Sequence, residues 1–405
     1  MSLDAALAQL LAATPALTER ETLPTAEALG RVLAQDLISP VNVPPADNSA
    51  MDGYALRCAD VPAPGAVLAI SQRIPAGVVG APLLAGTAAR IFTGAQVPQG
   101  ADAVLMQEQC EAVAGGVRIV GAVSPGLAIR RQGEDVAVGD VVLRAGRRLD
   151  AAALGLAATV GAAELPVARR PRVALFSTGD ELVLPGQPLP PGAIYNSNRD
   201  TLKALLRGVG AVCTDLGIVP DRLDATRDAL RRAAQGHDLI LTSGGVSVGE
   251  EDHLKPAMQA EGRLDLWQVA IKPGKPLAFG AVRRGAPGLG EALFVGLPGN
   301  PVASFITFLL AVRPMLLRMQ GVADADLQPV GWSARADFDW PRADKRREFL
   351  RVRRNASGGL DLYPNQGSGV LSSVAWADGV VDNPPGTVIA HGDTVRFVPF
   401  AEWLA

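Results

Sequence analysis

The sequence contains very little lysine for its content of basic residues. Only five of the 38 basic residues in 405 are lysines, and three of these, Lys255, Lys272 and Lys275, lie close together. Lysine carries a compact ammonium, whereas arginine carries a planar guanidinium. A cluster of lysines in an arginine-rich chain therefore indicates a candidate anion site, with chance placement as the alternative.

The chain also lacks an excess of positive charge. Its net charge is -3, so no overall field attracts nucleic acid or an anionic membrane. The three cysteines form no C-x-x-C pair, and the three histidines lack metal-ligand spacing. We therefore expect reduced, mostly buried thiols and no histidine-based zinc site.

No secretory or membrane-spanning segment is predicted. The first residues carry Asp4 and no early Lys or Arg, unlike a signal peptide. The most apolar late stretch, 301–317, contains Arg313 and Pro314, which we expect to interrupt it before it reaches spanning length. The pattern predicts a cytoplasmic protein.

The periodicity of apolar residues changes twice along the chain. Short runs rich in Pro, Gly and Val over 40–145 predict strands and turns. From 172 onward, apolar strands alternate with helical segments, which predicts a largely parallel sheet covered on both faces. After about 325, alternating apolar and polar residues predict a small antiparallel sheet or barrel.

Three helix starts can be placed from capping residues. Asp150 precedes an alanine-rich helical segment, Asn198 can cap a helix running to Arg207, and Asp221 is a candidate start for the following helix. The first of these segments ends before Pro166, which marks a boundary ahead of the alternating region.

The strongest local motif is LTSGGVSVGEEDHLK at 241–255. A predicted strand ends there in Thr242, Ser243, Gly244 and Gly245, and Ser247 and three acidic residues follow. Glycines let a ligand approach the backbone amides, and Glu250 or Asp252 can hold Mg²⁺ against phosphate oxygens. The alternative is a helix start with ordinary acidic residues.

Three more polar motifs follow predicted strands of the same region. FSTGDEL at 176–182 contributes Thr178 and Glu181, KPGKP at 272–276 contributes two ammonium groups, and GLPGNPVAS at 296–304 contributes Pro298, Asn300 and Ser304. Ligands bind beside the carboxyl ends of strands in such sheets. Each motif taken alone is also compatible with a surface turn, and a structural role is the better interpretation of Pro298.

Polar motifs outside this region are less specific. PPADNSAMDGYA at 44–55 includes Asp52, and IFTGAQVPQGADAV at 91–104 includes Thr93. On a predicted C-terminal strand, Arg347, Arg351 and Arg353 share one parity and hence one face, while Arg346 and the loop residue Ser368 lie nearby. Turns and solvated strand residues are the alternatives.

Together, the order and spacing of these motifs resemble the molybdopterin molybdenumtransferase family, which includes MoeA and the gephyrin E domain. The resemblance covers almost the whole chain and includes RRQGED, IYNSNRDTL and NQGSGVLSS in addition to the motifs above.

The resemblance implies a multidomain α/β plus β fold in an elongated homodimer. It implies an N-terminal linking subdomain at 1–19, 38–46 and 132–170, interleaved with a mostly β subdomain at 20–37 and 47–131. A three-layer α/β/α pterin-binding domain would span 171–323, and a small C-terminal β-barrel would span 324–405.

The resemblance also implies a reaction: Mg²⁺-dependent insertion of molybdate into adenylated molybdopterin, with phosphoanhydride cleavage and AMP release. Asp221 and Asp252, with Glu181, would act at the metal or phosphate side. Lys272, Lys275, Ser304, Arg351 and Ser368 would hold molybdate, with Arg347 as the alternative to Arg351. Thr178, Ser247, Asn300 and the residues Thr242 to Gly245 would line the pterin site. Asp52 and Thr93 would reach this pocket from the partner subunit, and a molybdopterin adenylyltransferase-type enzyme would act upstream.

Two other functions remain open at this point. The α/β region alone resembles that adenylyltransferase, and gephyrin-like relatives serve as scaffolds for other proteins. The flanking N- and C-terminal motifs oppose the first alternative, and the absence of long disordered tracts opposes the second.

Overall fold

The structure is a computed structural model that describes residues 1–245, 253–285 and 290–404. Ser247, Glu250 and Asp252, which the sequence analysis singled out, lie outside the described residues.

The N-terminal part consists mainly of short strands with one helix near each end. The elements are α1 (Leu3–Ala12), β1 (Arg20–Pro24), β2 (Leu37–Ile38), β3 (Asn48–Ser49), β4 (Gly53–Leu56), β5 (Val67–Ile74), β6 (Thr87–Ile91), β7 (Ala103–Met106), β8 (Cys110–Val113), β9 (Gly116–Ile119), β10 (Ile129–Arg130), β11 (Val141–Leu143), α2 (Ala151–Thr159) and β12 (Glu164–Ala168). Strands β1, β2 and β3 pair antiparallel with β12, β11 and β10, so the outward and returning passes of the chain run side by side. A six-stranded sheet, in the order β7-β4-β6-β5-β9-β8, is inserted between them. As predicted, the Asp150 side chain caps α2 by accepting from Ala153 N.

The central part alternates strands and helices. The elements are β13 (Arg172–Thr178), β14 (Leu182–Val183), β15 (Ile194–Tyr195), α3 (Ser197–Gly208), β16 (Val212–Val219), α4 (Leu223–Ala234), β17 (Leu239–Ser243), α5 (Leu254–Glu261), β18 (Gly262–Gln268), β19 (Ile271–Lys272), β20 (Pro276–Arg283), β21 (Glu291–Leu297), α6 (Pro301–Thr307), a π-helical turn (Phe308–Val312) and α7 (Arg313–Met319). The main sheet has the order β16-β13-β17-β21-β20-β18. The first four strands are parallel, β20 runs antiparallel to β21, and β18 runs antiparallel to β20.

Both faces of this sheet are covered, as predicted. Along β13, Val173 and Leu175 join a core cluster with residues of α1, α3, α6 and α7, whereas Ala174 and Phe176 join a second cluster with α4 and α5. Successive side chains of a strand point to opposite faces, so a strand apolar at every position is buried on both sides.

Two predicted helix starts in this region are wrong. Helix α3 is capped by Asn196, whose side chain accepts from Arg199 N, and Asn198 lies inside the first turn. Helix α4 begins at Leu223, with Arg222 rather than Asp221 at its N-cap position. Asn198 and Asp221, the two residues predicted at these helix starts, line a cleft instead of capping.

The expected interruption of the late apolar stretch is also wrong. The helical run Pro301–Met319 continues through Arg313 and Pro314 by way of the π-helical turn, and it is long and apolar enough to cross a membrane. However, 94% of its apolar window is buried inside the protein, which is the pattern of a core helix. The Arg313 guanidinium donates to the carbonyl oxygens of Trp403 (2.6 Å) and Leu327 (3.0 Å).

The C-terminal part forms an antiparallel sheet. Its elements are β22 (Trp332–Arg335), β23 (Arg347–Arg354), β24 (Leu360–Leu362), α8 (Leu371–Trp376), β25 (Gly379–Asn383), β26 (Thr394–Pro399) and α9 (Phe400–Leu404). The strand order is β19-β23-β25-β26-β22, with β24 beside β23. A single bridge between Ala336 and Leu360 also links the end of β22 to β24. The small barrel stays a prediction. Strand β19 precedes the central strand β20 in sequence but pairs in parallel with β23, which ties the two parts together.

The cysteines lie apart from one another in this fold. All three are unpaired and partly buried, and burial raises the pKa of each thiol to about 11. The expectation of reduced thiols agrees with this placement, but the thiols are less buried than expected.

Candidate functional site

A cleft of about 950 Å³ opens at the edge of the central sheet where the parallel strands end. Eleven of the candidate binding or catalytic residues line it: Thr178, Glu181, Asp221, Ser243, Gly244, Gly245, Lys272, Lys275, Pro298, Asn300 and Ser368. They come from motifs that are up to 190 positions apart in sequence. The fold therefore brings the separate polar motifs of the central and C-terminal parts into one cavity.

Strand order separates the charges along this edge. Asp221 follows β16 and Glu181 follows β13, whereas Lys272 and Lys275 lie beside the start of β20. Strands β16 and β20 are four strand spacings apart, or roughly 19 Å at about 4.8 Å each. The cleft thus has a carboxylate end and an ammonium end, with the turns after β17 and β21 between them.

The turn after β17 requires glycine. Gly244 and Gly245 have φ of +90° and +65°, and a Cβ added to Gly244 would lie 2.7 Å from the carbonyl oxygen of Thr178. Residues that carry a side chain rarely adopt such positive φ values, and the backbone here packs directly on the end of β13. The bare backbone is therefore available at the cleft wall.

Several buried polar atoms at this wall have no partner among the described residues. They include Thr178 Oγ1, Asn196 Nδ2 and Asn198 Oδ1, all on residues that line the cleft. Asn198 uses its amide nitrogen to donate to Ser243 Oγ and to the Gly299 carbonyl oxygen, both at 2.7 Å. Burying a polar atom without a partner costs about 1–3 kcal/mol, so these atoms suit a polar ligand.

The ammonium end contains a network of fixed charges. Lys272 Nζ lies 3.0 Å from Glu348 Oε1 and 3.5 Å from Asp344 Oδ2. Arg346, which also lines the cleft, pairs with Asp344 through Nε (3.0 Å) and Nη2 (2.7 Å). The Arg346 guanidinium holds the pKa of Asp344 well below its usual range.

Lys275 differs from these paired cations. Its side chain is exposed in the cleft, and within the described ranges no carboxylate lies at ion-pair distance from its ammonium. An unneutralised ammonium is the group most available to an incoming anion.

Arg351 lies behind the cleft wall, not on it. It is 1% exposed, and its guanidinium donates to Ser373 Oγ (3.1 Å), the Phe349 carbonyl (3.2 Å) and the Gly367 carbonyl (3.3 Å). Burial lowers its pKa to about 10. It therefore anchors the loop that carries Ser368 rather than reaching the cavity, and Arg347 instead pairs with Asp382 at 2.6 Å, also away from the cavity.

Two other predicted residues are near the cleft but do not line it. Thr242 lies inside β17 with no exposed surface, and Ser304 lies in α6 with 1% exposure. The hydroxyl of each has no hydrogen-bond partner among the described residues.

Asp52 and Thr93 lie in the N-terminal part and do not line the cleft of their own chain. Both are exposed, and Asp52 Oδ1 accepts from Thr93 N and Thr93 Oγ1, each at 2.7 Å. The backbone N–H of Thr93, together with its hydroxyl, holds the pKa of Asp52 below the usual range.

Several residues that line the cleft received no role from the sequence, among them Tyr195 and Asn196. Arg346 and Gln366 also line it, and the sequence placed them in candidate motifs without a specific role. A signal existed for Asn196, because polar residues preceding a predicted helix can face a ligand as well as cap. Arg346 precedes the first residue of β23, so strand parity carried no information on it.

Carboxylates suitable for a hard cation are present at one end of the cleft. Glu181 and Asp221 both line it. In the part of the chain that the structure describes, no cluster of three or more His, Cys, Asp or Glu residues is arranged to hold a metal. Mg²⁺ usually binds through one or two carboxylates, water and substrate phosphates, so these two residues fit it.

Three family models match successive parts of the chain. They are the MoeA N-terminal region (domain I and II) at 1–161, a probable molybdopterin-binding domain at 174–318 and the MoeA C-terminal region (domain IV) at 333–400.

Curated relatives match over nearly the full length. The chain is 39% identical to the molybdopterin molybdenumtransferase of Haemophilus influenzae over 420 aligned positions, covering 100% of both chains. It is 39% identical to molybdopterin molybdenumtransferase 2 of Mycobacterium tuberculosis, covering 93% of this chain and 94% of the relative.

The fold agrees with solved structures. It matches the molybdopterin biosynthesis MoeA protein of Pyrococcus horikoshii with a TM-score of 0.84 and 29% identity, over 98% of this chain and 99% of that chain. Sequence identity over the whole length, the three successive family regions and the shared fold lead to one assignment. The chain belongs to the MoeA family of molybdopterin molybdenumtransferases.

Proposed function

We propose that this protein inserts molybdate into adenylated molybdopterin, cleaving the phosphoanhydride bond and releasing AMP. Membership of the family places the chain in molybdenum cofactor biosynthesis. The single observation that best supports the detailed reaction is the division of the cleft into a carboxylate end and an ammonium end. One end suits a metal-bound phosphate group, and the other suits a tetrahedral dianion.

At the carboxylate end, Glu181 and Asp221 would hold Mg²⁺, together with Asp252 from outside the described residues. Bound there, the ion would neutralise charge that develops on the phosphate oxygens during cleavage. The backbone of Gly244 and Gly245 lets the substrate lie close to the end of β17. The buried polar atoms of Thr178, Asn196 and Asn198, which have no partner among the described residues, would supply donors and acceptors for a pterin.

At the ammonium end, Lys275 and Ser368 would contact molybdate directly, beside the paired Lys272 and Arg346. Several fixed donors around one oxyanion give orientation as well as affinity, because the groups need little rearrangement when the anion arrives. Ser304 and Arg351 would support this end from behind the wall.

We further propose a homodimer in which Asp52 and Thr93 act on the partner's cleft. Both residues are exposed, they form a preorganised pair, and they do not line their own cleft. In an isologous dimer, each subunit can supply the same pair to the other. The protein would work in the cytoplasm, after a molybdopterin adenylyltransferase-type enzyme.

The two alternative functions have less support. An adenylyltransferase of the single-domain type would not account for the matches at 1–161 and 333–400. A purely scaffolding protein would not require the charged, glycine-walled cleft to be retained.

The direct test is AMP release from adenylated molybdopterin, with molybdate and Mg²⁺ added separately and together. The proposal expects turnover only when both are present. Adenylated pterin formed from molybdopterin and ATP would support the adenylyltransferase instead, and protein that neither cleaves nor binds the substrate would refute the proposal.

The dimer is tested by subunit complementation. Asp52→Asn and Lys275→Ala are each expected to inactivate the homodimer. Mixed dimers would contain one intact site, built from the native Asp52 of one chain and the native Lys275 of the other, so unfolding and refolding the mixture would restore about a quarter of the activity. No recovery, despite mixed dimers seen by mass spectrometry, would contradict sharing between subunits.

A further inference from the structure

We propose that Glu348 is a positioning residue that holds the Lys272 ammonium at the molybdate end of the cleft. The inference rests on the proposed function, but it concerns a buried residue to which neither the motifs nor the comparisons assign a role. Glu348 does not line the cleft and acts only through Lys272.

The Glu348 carboxylate is fixed through both oxygens. It is 1% exposed, with Oε1 at 3.0 Å from Lys272 Nζ. Its other oxygen, Oε2, accepts from Trp340 Nε1 at 2.8 Å and from Asn383 Nδ2 at 3.3 Å. A buried carboxylate needs a cationic partner and further donors, and these three groups supply them.

Backbone pairing sets the position of Lys272 relative to this carboxylate. In the parallel pair β19–β23, Lys272 is the register partner of Glu348. The Trp340 ring centroid lies 5.6 Å from Lys272 Nζ, so the residue that orients the carboxylate also contacts the ammonium. The same three side chains thus fix one another.

This arrangement matters because lysine is flexible. Its four-carbon side chain has many rotamers, and an anion that binds a free lysine has to restrict them. In the folded protein the Lys272 ammonium is already restrained, yet its side chain is 36% exposed and lines the cleft. Glu348 therefore prepares a cation that remains accessible to a ligand.

A neighbouring ion pair provides a matched control. Asp382 lies on β25, next to β23, and pairs with Arg347 at 2.6 Å from both carboxylate oxygens. It is 7% exposed, like Glu348 a buried acid of the C-terminal sheet, but neither Asp382 nor Arg347 lines the cleft. Asp382→Asn therefore removes a comparable buried charge from a residue that neither lines the cleft nor contacts Lys272.

The test is a double-mutant cycle in the full-length protein, using Glu348→Gln, Lys272→Ala and the double variant. AMP release is measured against molybdate concentration, and molybdate binding is measured separately by equilibrium dialysis. Glu348→Gln is expected to lower kcat/KM for molybdate about tenfold when Lys272 is present, a loss of about 1.4 kcal/mol. In the Lys272→Ala background, the same change is expected to have less than about a twofold effect.

Asp382→Asn is expected to lower thermal stability while leaving the molybdate KM unchanged, and Glu348→Asp is expected to recover part of the loss. Equal effects of Glu348→Gln with and without Lys272, or an equal rise in KM in Asp382→Asn, would overturn the inference and leave Glu348 a structural residue. A wild-type protein that binds molybdate without releasing AMP would refute the proposed function, while the dialysis data would still test the coupling.

Discussion

Asp52 accepts two hydrogen bonds from one residue, Thr93, through the backbone N–H and the side-chain hydroxyl, each 2.7 Å long. Both donors stabilise the charged carboxylate, which is why the pKa of Asp52 is depressed.

Thr93→Ala removes only the hydroxyl, so we expect the pKa of Asp52 to rise toward its usual value. NMR titration of the side-chain carboxyl carbon measures this directly, and the acid limb of the kcat/KM profile should move to higher pH. Thr93→Ser keeps the hydroxyl and should leave both unchanged; an unaltered pKa in the alanine variant would contradict the structure.

Gly244 provides a second prediction, because it combines a positive φ with a close backbone approach. Gly244→Ala places a Cβ 2.7 Å from the Thr178 carbonyl oxygen in a conformation with φ of +90°. The φ alone costs about 1–2 kcal/mol, and the contact adds to it. We expect lower stability in urea and a higher KM for adenylated molybdopterin.

Gly236→Ala isolates the conformational part of that effect. Gly236 has φ of +76°, but nothing lies within 4 Å of an added Cβ. This variant should lose stability without any change in KM. If both glycine variants raised the KM equally, the close backbone approach at Gly244 would not be the cause of the higher KM.

The buried Arg351 leads to a third prediction. Arg351→Met removes the donors to Ser373 and to the Gly367 carbonyl, so the loop that carries Ser368 loses its anchor. We expect a loss of about 2–4 kcal/mol of stability and a rise in the molybdate KM. Steady-state kinetics with molybdate varied, together with urea unfolding, separates the two effects.

Arg347→Met is the matched change on the same strand. It should also destabilise the protein, because it deprives the buried Asp382 of its closest cation. Its molybdate KM should stay at the wild-type value, since Arg347 does not line the cleft. A KM increase in the Arg347 variant alone would show that the structure assigns the wrong arginine.

A fourth prediction concerns the acid dependence of stability. The pKa of Asp344 is depressed in the folded protein, first by the hydrogen bonds from Arg346. Its stabilising contribution is therefore present above the carboxyl's unfolded pKa of about 3.9 and is lost as pH falls through the folded pKa. At about pH 7, Asp344→Asn should lower the Tm of the C-terminal part by about 4–8 °C, the shift that about 1 kcal/mol produces in a unit of roughly 60–100 residues.

The difference in Tm between wild type and Asp344→Asn should shrink below about pH 4, as wild-type Asp344 takes up its proton. Glu111→Gln provides the control, because Glu111 and Arg118 form an ion pair with both side chains about half exposed. Such an exposed ion pair contributes little to stability, so Glu111→Gln should change the Tm by a small and nearly constant amount across the pH range. A constant deficit in Asp344→Asn at every pH would contradict the proposed linkage.

Much of the central part could be predicted from sequence, because the relevant rules are local. The strands β13, β17 and β21 are continuous apolar runs, and Gly-rich polar motifs follow β17 and β21. Parallel strands end at one edge, so convergence of these motifs followed from strand direction. Helix starts were less predictable, since Asn198 and Asp221 are used at the cleft and other residues occupy the N-cap positions of their helices.

The arginines of β23 could not be resolved in the same way. Parity places Arg347 and Arg351 on one face, but it does not say what that face contacts. The structure pairs Arg347 with Asp382, buries Arg351 behind a loop and brings Arg346 to the cleft. Each outcome depends on partners from distant parts of the chain.

By itself, the sequence determined the alternating strands and helices, the glycine-rich turns and the clustering of lysines near 272, because each depends on residues close together in the chain. Only the tertiary structure decided that Lys272 meets Glu348, 76 residues away, through the two-residue strand β19. Pairing between distant strands depends on how whole layers pack, and no local pattern encodes which buried acid will face which ammonium.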